Sequence, residues 1–269
     1  MLRQNNISWN YLSIYYNRKE WSRLVYEILD FEHKISSLSL RYLVSFSEEK
    51  GEHIRLAISS LQENHKIIRH LSNAIFSNYL QYKPSLESKQ YIGGSFFWMS
   101  YENNTLVWDR FKHIGSSTWE REFSETTFKL IITLTDEDFS LNNFLNIILY
   151  LLVKLIKKIH ETYTINNRNM IDLPFINIDY KNDQELKNLV NEKEVFELLD
   201  SHYIDSEKSS TLEKWLSYTQ YFDQNILLSF SSMEESLTSQ LGINSLHKKW
   251  VLAVVKEWYT KKWFPQQVG

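Results

Sequence analysis

The sequence contains no cysteine, which excludes disulfides, thiolate nucleophiles and cysteine-ligated zinc. Glycine and proline are scarce, six and three in 269 residues, which argues against a strand-rich barrel with its many turns and against a disordered chain. No sign of charge dominates. The formal net charge of −3 gives the whole chain no reason to bind nucleic acid or an anionic membrane, so an anionic partner must find a local cluster. The most apolar run, residues 144–156, is too short to span a bilayer and carries Lys154. The opening M-L-R-Q-N-N lacks a charged-then-apolar secretory pattern. A cytoplasmic protein is the expectation. Also missing are a G-x-S-x-G elbow, an H-E-x-x-H pair and a dinucleotide fingerprint after a strand. His65 and His70 lie five apart, off a common helix face, and Gly93-Gly94 has no following Lys-Ser/Thr. Carboxylates are plentiful, but none form an obvious acid/base pair. No metal, nucleotide or redox cofactor is expected.

What is abundant is aromatic: 15% of residues, nine of them tryptophan. Such rings fill cores and also line clefts that grip peptides. With 43% hydrophobic and 23% charged residues the composition is that of a globular protein. No repeat, low-complexity tract or linker divides it, so a single domain over residues 1–269 is expected.

The chain is organised around residues 37–59, S-L-S-L-R-Y-L-V-S-F-S-E-E-K-G-E-H-I-R-L-A-I-S. Leu38, Leu40, Tyr42, Val44 and Phe46 alternate with Ser37, Ser39, Arg41, Leu43 and Ser45. After a polar turn carrying Gly51, Ile54, Leu56 and Ile58 alternate with His53, Arg55, Ala57 and Ser59. This is the pattern of a half-buried antiparallel hairpin. If the apolar faces coincide, Arg41, His53 and Arg55 share the other face as three potential cations on a rigid sheet. A solvated polar face is the alternative on pattern alone.

Residues 9–16 read as a first strand. Asn17 and Glu20 form a capping-box pattern ahead of a helix with Trp21, Leu24, Val25, Ile28 and Leu29 on one stripe. A helix over residues 61–80, with Ile68, Leu71, Ile75 and Tyr79 inward, ends before Pro84. A second hairpin near 95–110 turns at Glu102-Asn103-Asn104. Beyond Ser116 the periodicity is mostly helical. Phe144, Ile147, Ile148, Leu151, Leu152, Leu155, Ile156 and Ile159 make an almost unbroken stripe. Residues 166–183 read as a loop, 185–199 and 212–222 as helices, and Ser245–Trp263 as a closing helix with Lys261-Lys262 in its last turn. The predicted class is α+β: an antiparallel sheet opening strand–helix–strand–strand, layered with helices, and a mostly helical C-terminal half.

Arg41-Tyr42, the polar turn, and Gly51, His53, Ile54, Arg55 and Leu56 resemble the signature of the thiopeptide-type bacteriocin biosynthesis family, which is similar to the C-terminal domain of lanthipeptide dehydratases. Ala57 stands where that family usually has a second arginine. The aromatic opening strand and Trp21 also match, and the likeness is good over the first ~60 residues and weak beyond them. The resemblance implies one of two reactions on a ribosomal peptide. In one, glutamate is eliminated from glutamylated Ser or Thr. In the other, a stand-alone pyridine synthase joins two dehydroalanines by a formal [4+2] cycloaddition, then expels water and the leader peptide. Elimination-type members carry E-x-x-R-Y-G-G and a late H-M-x-x-N-R. Here Glu87–Gly94 has no arginine and altered spacing, and Leu246-His247-Lys248-Lys249-Trp250 keeps only the histidine. Elimination would also need a separate glutamylating partner. The departures favour the cyclase, with a glutamate-elimination lyase or a non-catalytic leader-binding module as alternatives. The resemblance implies His53, Arg55 and Tyr91 as catalytic candidates and Arg41, Tyr42, Tyr101 and His247 as substrate-binding ones. The implied partners are a leader-bearing precursor peptide and fellow biosynthetic enzymes.

Overall fold

A computed structural model of the chain describes residues 7–86, 101–111, 118–164, 206–222 and 226–263. Their elements run β1 (Ile7–Tyr15), α1 (Trp21–Ile35), β2 (Ser39–Ser47), β3 (His53–Leu61), α2 (His65–Tyr82), β4 (Thr105–Val107), α3 (Thr118–Thr135), α4 (Leu141–Thr164), α5 (Ser206–Ser217), α6 (Ile226–Gln240) and α7 (Ser245–Trp263). The four strands form one antiparallel sheet in the order β2-β3-β1-β4. The class is α+β with a helical C-terminal half.

The described residues group into two compact units. One takes in the chain up to Phe128 with Thr135–Ser140 and Ser239–Gly242, and the other comprises Lys129–Leu134, Leu141–Thr238 and Ile243–Gly269. In the first unit the sheet's apolar face meets α1 and α2. The register pairs Tyr42 with Ile58, Val44 with Leu56 and Phe46 with Ile54, so the two apolar sides of the hairpin coincide as their period requires. β1 adds Leu12 and Ile14 opposite Leu56 and Ile54. Trp21 and Phe31 of α1 come down on this face, with ring centroids 5.2 Å from Phe46 and 6.3 Å from Tyr42, and Phe31 meets Phe76 of α2 at 5.0 Å. All are buried.

The helices depart from their sequence pattern in small ways with physical causes. Asn17 caps a short 3-10 turn, Arg18–Glu20, its side chain accepting from Lys19 N–H. Its own N–H goes to Ser85 Oγ at 3.0 Å and Glu20 bonds Arg23, so no reciprocal capping box forms. Residue 61 ends β3 rather than opening α2. The buried stripe of α2 is Ile68, Ser72, Phe76 and Tyr79-Leu80, because Ser72 bonds the Ile68 carbonyl at 2.7 Å and can sit inside. Of the second hairpin, β4 is the described strand; its expected partner limb, residues 96–100, lies outside the described residues, as do the segments 166–183 and 185–199.

The outer edge of β2 is covered, as exposed edges must be. Gln240, almost fully buried, donates from Nε2 to the Val44 carbonyl and to the Ser124 carbonyl, both at 2.9 Å. Gly242 passes so close that a Cβ would lie 2.5 Å from the Phe46 carbonyl oxygen.

In the second unit α4 is buried nearly all round, with Phe144, Ile147, Ile148, Leu151, Leu152, Leu155, Ile156 and Ile159 inside together with Leu149 and Val153. A helix apolar on every side is a central one, and α5 and α7 lie against it. α7 buries Val251, Val254, Val255 and Trp258, while Trp250, expected on the same face, is half-buried. Among the described residues no helix is long and apolar enough to cross a membrane.

Candidate active site

The second face of the sheet carries the polar residues, and its rows can be read from the register. One row is Ser47, His53, Tyr15 and Thr105; the next is Ser45, Arg55, Ser13 and Val107; Arg41, Ser59 and Trp9 lie at the far end. His53, Arg55 and Arg41 therefore share the face, as expected, but they do not form one cationic cluster. Arg41 lies four residues along β2 from the row of Arg55. It is ion-paired with Glu122 at 3.3 Å and Glu125 at 3.5 Å of α3.

His53 is fully buried. Its Nδ1 lies 2.7 Å from the Gly51 carbonyl, and its Nε2 lies 2.9 Å from Arg55 Nε. Arginine only donates and a carbonyl only accepts, so the ring carries its proton on Nδ1 and accepts at Nε2. Desolvation, opposed by the Gly51 bond and reinforced by the Arg55 charge, lowers its pKa to about 4. At neutral pH His53 is an uncharged acceptor with both nitrogens in use. Its ring stacks on buried Tyr15 at 4.5 Å, and Tyr15 touches Tyr101 at 4.9 Å. Burial pushes the Tyr15 phenol up to about 12 against the opposing pull of Arg55.

Arg55 is thereby aimed. Nε–H points inward to His53, Nη2 donates to Glu49 Oε2 at 2.8 Å, and the guanidinium carbon sits 5.3 Å from the Phe111 ring centroid. Its side chain is 22% exposed. Among the described residues Nη1 has no hydrogen-bond partner. Phe111 also meets Tyr11 edge-on at 5.2 Å, so Arg55 has the Phe111–Tyr11 pair against its guanidinium, and its partner His53 has the Tyr15–Tyr101 pair against its ring. Such a site polarises or binds an oxygen: a planar fork fixed on one edge, partly open to solvent and flanked by an aromatic ring.

The turn that supplies Gly51 is itself anchored. Lys50 and Gly51 both have positive φ, 62° and 118°. Arg18, nearly buried, bonds Glu48, stacks on Trp21 at 4.8 Å and gives its backbone N–H to Glu52 Oε2 at 2.8 Å. Tyr101 N–H donates to the Lys50 carbonyl at 2.9 Å. Arg18 and Tyr15 did not emerge from the sequence. Arg18 looks like a solvated charge before a helix, and the face of Tyr15 depends on the register of β1 with β3.

The remaining candidates are distributed differently. Tyr42 lies on the core face opposite Ile58, its hydroxyl buried with no hydrogen-bond partner among the described residues, and so is not beside Arg55. The period-2 pattern already put it there. Tyr101 is 40% exposed at the rim of the ring cluster. His247 belongs to the second unit, in the first turn of α7, where its backbone N–H bonds Asn244 Oδ1 at 2.9 Å. Tyr91 lies outside the described residues. Among those described, no three His, Asp or Glu side chains converge as metal ligands.

No family model matches the chain, and no curated protein matches its sequence. Among solved structures it is similar to the pyridine synthase TbtD from thiomuracin biosynthesis, with a TM-score of 0.59 and 12% identity over 96% of this chain and 99% of that one. At that identity the shared property is the fold, extending over nearly the whole of both chains.

Proposed function

We propose that the protein is a peptide-modifying enzyme of the pyridine-synthase type, acting on a ribosomal peptide that carries a leader and two dehydroalanines. The observation that carries this reading is the Arg55 guanidinium, held by a neutral histidine that stacks on Tyr15 and lying beside the Phe111 ring, on a fold shared with a pyridine synthase. The likeness of Gly51, His53 and Arg55 to the family signature adds to it.

The chemistry asks for such a group. The amide preceding one dehydroalanine shifts its proton from nitrogen to oxygen, giving the azadiene C(OH)=N–C=CH2. Its two ends bond to the CH2 and the α-carbon of the other dehydroalanine, closing a six-membered ring. Loss of the hydroxyl as water and of the leader as its amide then leaves the aromatic pyridine. The atoms balance without an oxidant. Bringing two alkenes of one chain together is largely an entropic task, worth up to ~7–11 kcal/mol in well-oriented cases. Arg55 stabilises the amide oxygen as it becomes imidic, a charge-directed effect that a pre-oriented donor supplies without reorganisation. His53, with both nitrogens engaged, positions Arg55 rather than exchanging protons. Tyr15 and Tyr101 line the site, and Tyr101, the exposed ring of the pair, is the better placed to exchange a proton with substrate. Arg41, ion-paired at the far end of the face, contributes to docking the peptide.

Incubation with a dehydrated, leader-bearing peptide followed by mass spectrometry tests the reading. A pyridine synthase yields a product lighter by the leader amide plus water. Loss of glutamate from a glutamylated peptide would show an elimination lyase instead, and binding without a mass change would show a leader-binding module.

A further inference from the structure

We propose that Glu49 is the resting occupant of the Arg55 fork, a placeholder that the substrate oxygen displaces, and that it thereby determines which oxygens the site accepts. This rests on reading Arg55 as the group that polarises a peptide oxygen.

The turn between β2 and β3 carries three carboxylates, and they divide their work. Glu48 and Glu52 bond Arg18, Glu48 to its guanidinium and Glu52 to its backbone N–H. They tie down the turn that presents the Gly51 carbonyl to His53. Glu49 has no part in that anchoring: its backbone N–H bonds Ser47 Oγ at 3.2 Å, and its carboxylate meets Arg55 alone among the described side chains.

The two bonds on the guanidinium are unequal. The one to His53 ends on a fully buried ring, whereas the Glu49 side chain is 54% exposed. Exposed ion pairs contribute little net free energy and are screened by salt, so a charged competitor displaces them readily. A ligand oxygen approaching Nη1 and Nη2 can therefore remove Glu49 while the His53 bond keeps Arg55 aimed. The displacement is selective in one respect. A neutral single acceptor, such as water or an ordinary amide carbonyl, exchanges a charged hydrogen bond for a weaker one. A carboxylate, or an amide oxygen taking on imidate character, exchanges like for like and can use both Nη groups. Glu49 thus biases Arg55 against resting amides and toward an oxygen that is gaining charge. That is the discrimination a catalyst needs between ground state and transition state.

The opposite account makes Glu49 a prop that orients Arg55, and the two predict opposite results for Glu49→Gln. The full chain, labelled with 15N, is titrated with acetate while the Arg55 Nε–Hε signal is followed, assigned by its loss in Arg55→Lys. Removing the placeholder should tighten acetate binding at Arg55 at least tenfold relative to the parent, with the Nε–Hε signal still reporting its bond to His53. In turnover of the dehydrated peptide, Glu49→Gln should lower KM several-fold. Equal or weaker acetate binding, or a lost Nε–Hε···His53 bond, overturns the proposal in favour of the prop. Tightened acetate binding with no conversion of the peptide by either protein overturns the pyridine-synthase reading and leaves the placeholder standing. Conversion with no response of Arg55 to acetate in either protein overturns the placeholder alone.

Discussion

The use of Arg55 to the site lies in its direction, and His53 sets that direction. Arg55→Lys replaces a planar fork by a point charge. Its three donors radiate from one nitrogen, so a bond to His53 Nε2 leaves no pair of parallel N–H groups facing outward. Turnover should fall at least tenfold, about 1.4 kcal/mol of barrier, with the melting temperature close to the parent's. Single-turnover conversion read beside thermal melting checks this. His53 makes a separate prediction through its protonation. Its pKa is about 4 in the folded protein against about 6.5 for a free histidine, so between those values the unfolded chain binds the extra proton. Stability from this residue is complete above about pH 6.5 and is lost as pH falls toward 4, by something on the order of 3 kcal/mol. The groups beside the ring act in both directions: Arg55 and Lys50 lower the pKa and Glu49 raises it. Denaturant unfolding at several pH values should show the loss in the parent and a flatter profile in His53→Gln.

At the scale of elements, the hairpin turn is a machined part whose quality depends on residues outside it. Gly51, at φ 118°, would place a Cβ 3.4 Å from the Tyr15 ring, and its backbone conformation strains any side-chain-bearing residue. Gly51→Ala should cost about 1–3 kcal/mol in stability and lower turnover with it, through His53 and Arg55. Gly242→Ala is a contrasting case. Its Cβ would meet backbone atoms of Phe46 at 2.5 and 2.9 Å, which side-chain rotation cannot relieve, so β2 itself must shift. Unfolding measurements should show a loss of at least about 2 kcal/mol. The alternation of Tyr42, Val44 and Phe46 with Arg41, Leu43 and Ser45 made β2 and β3 readable from sequence, because a strand's two faces are written locally. The same alternation put Tyr42 on the core side, and the structure keeps it there; the family signature alone moved it toward the site. What the sequence could not convey is contact across distance. Arg18 reaches Glu48 across 30 positions, and Tyr15 joins His53 only through the β1–β3 register.

For the molecule as a whole, the long apolar stripe of α4 announced a central helix, and its burial on nearly every side gives it a testable energetic weight. Leu151 and Leu152 are fully buried, and Leu→Ala at either should cost about 2–5 kcal/mol, read from the denaturant midpoint of the full chain. The β2 edge was not foreseeable: Gln240 closes it from nearly 200 residues away, and no local pattern marks a glutamine for such use. The central claim is that Arg55, aimed by His53, drives ring closure in a leader-bearing peptide. Its most direct measurement is a single-turnover mass spectrum of a doubly dehydrated precursor, parent beside Arg55→Lys. The account predicts conversion by the parent to a macrocycle lighter by water and the leader amide, slowed at least tenfold in the variant. An unchanged precursor mass, or equal conversion by both proteins, would contradict it.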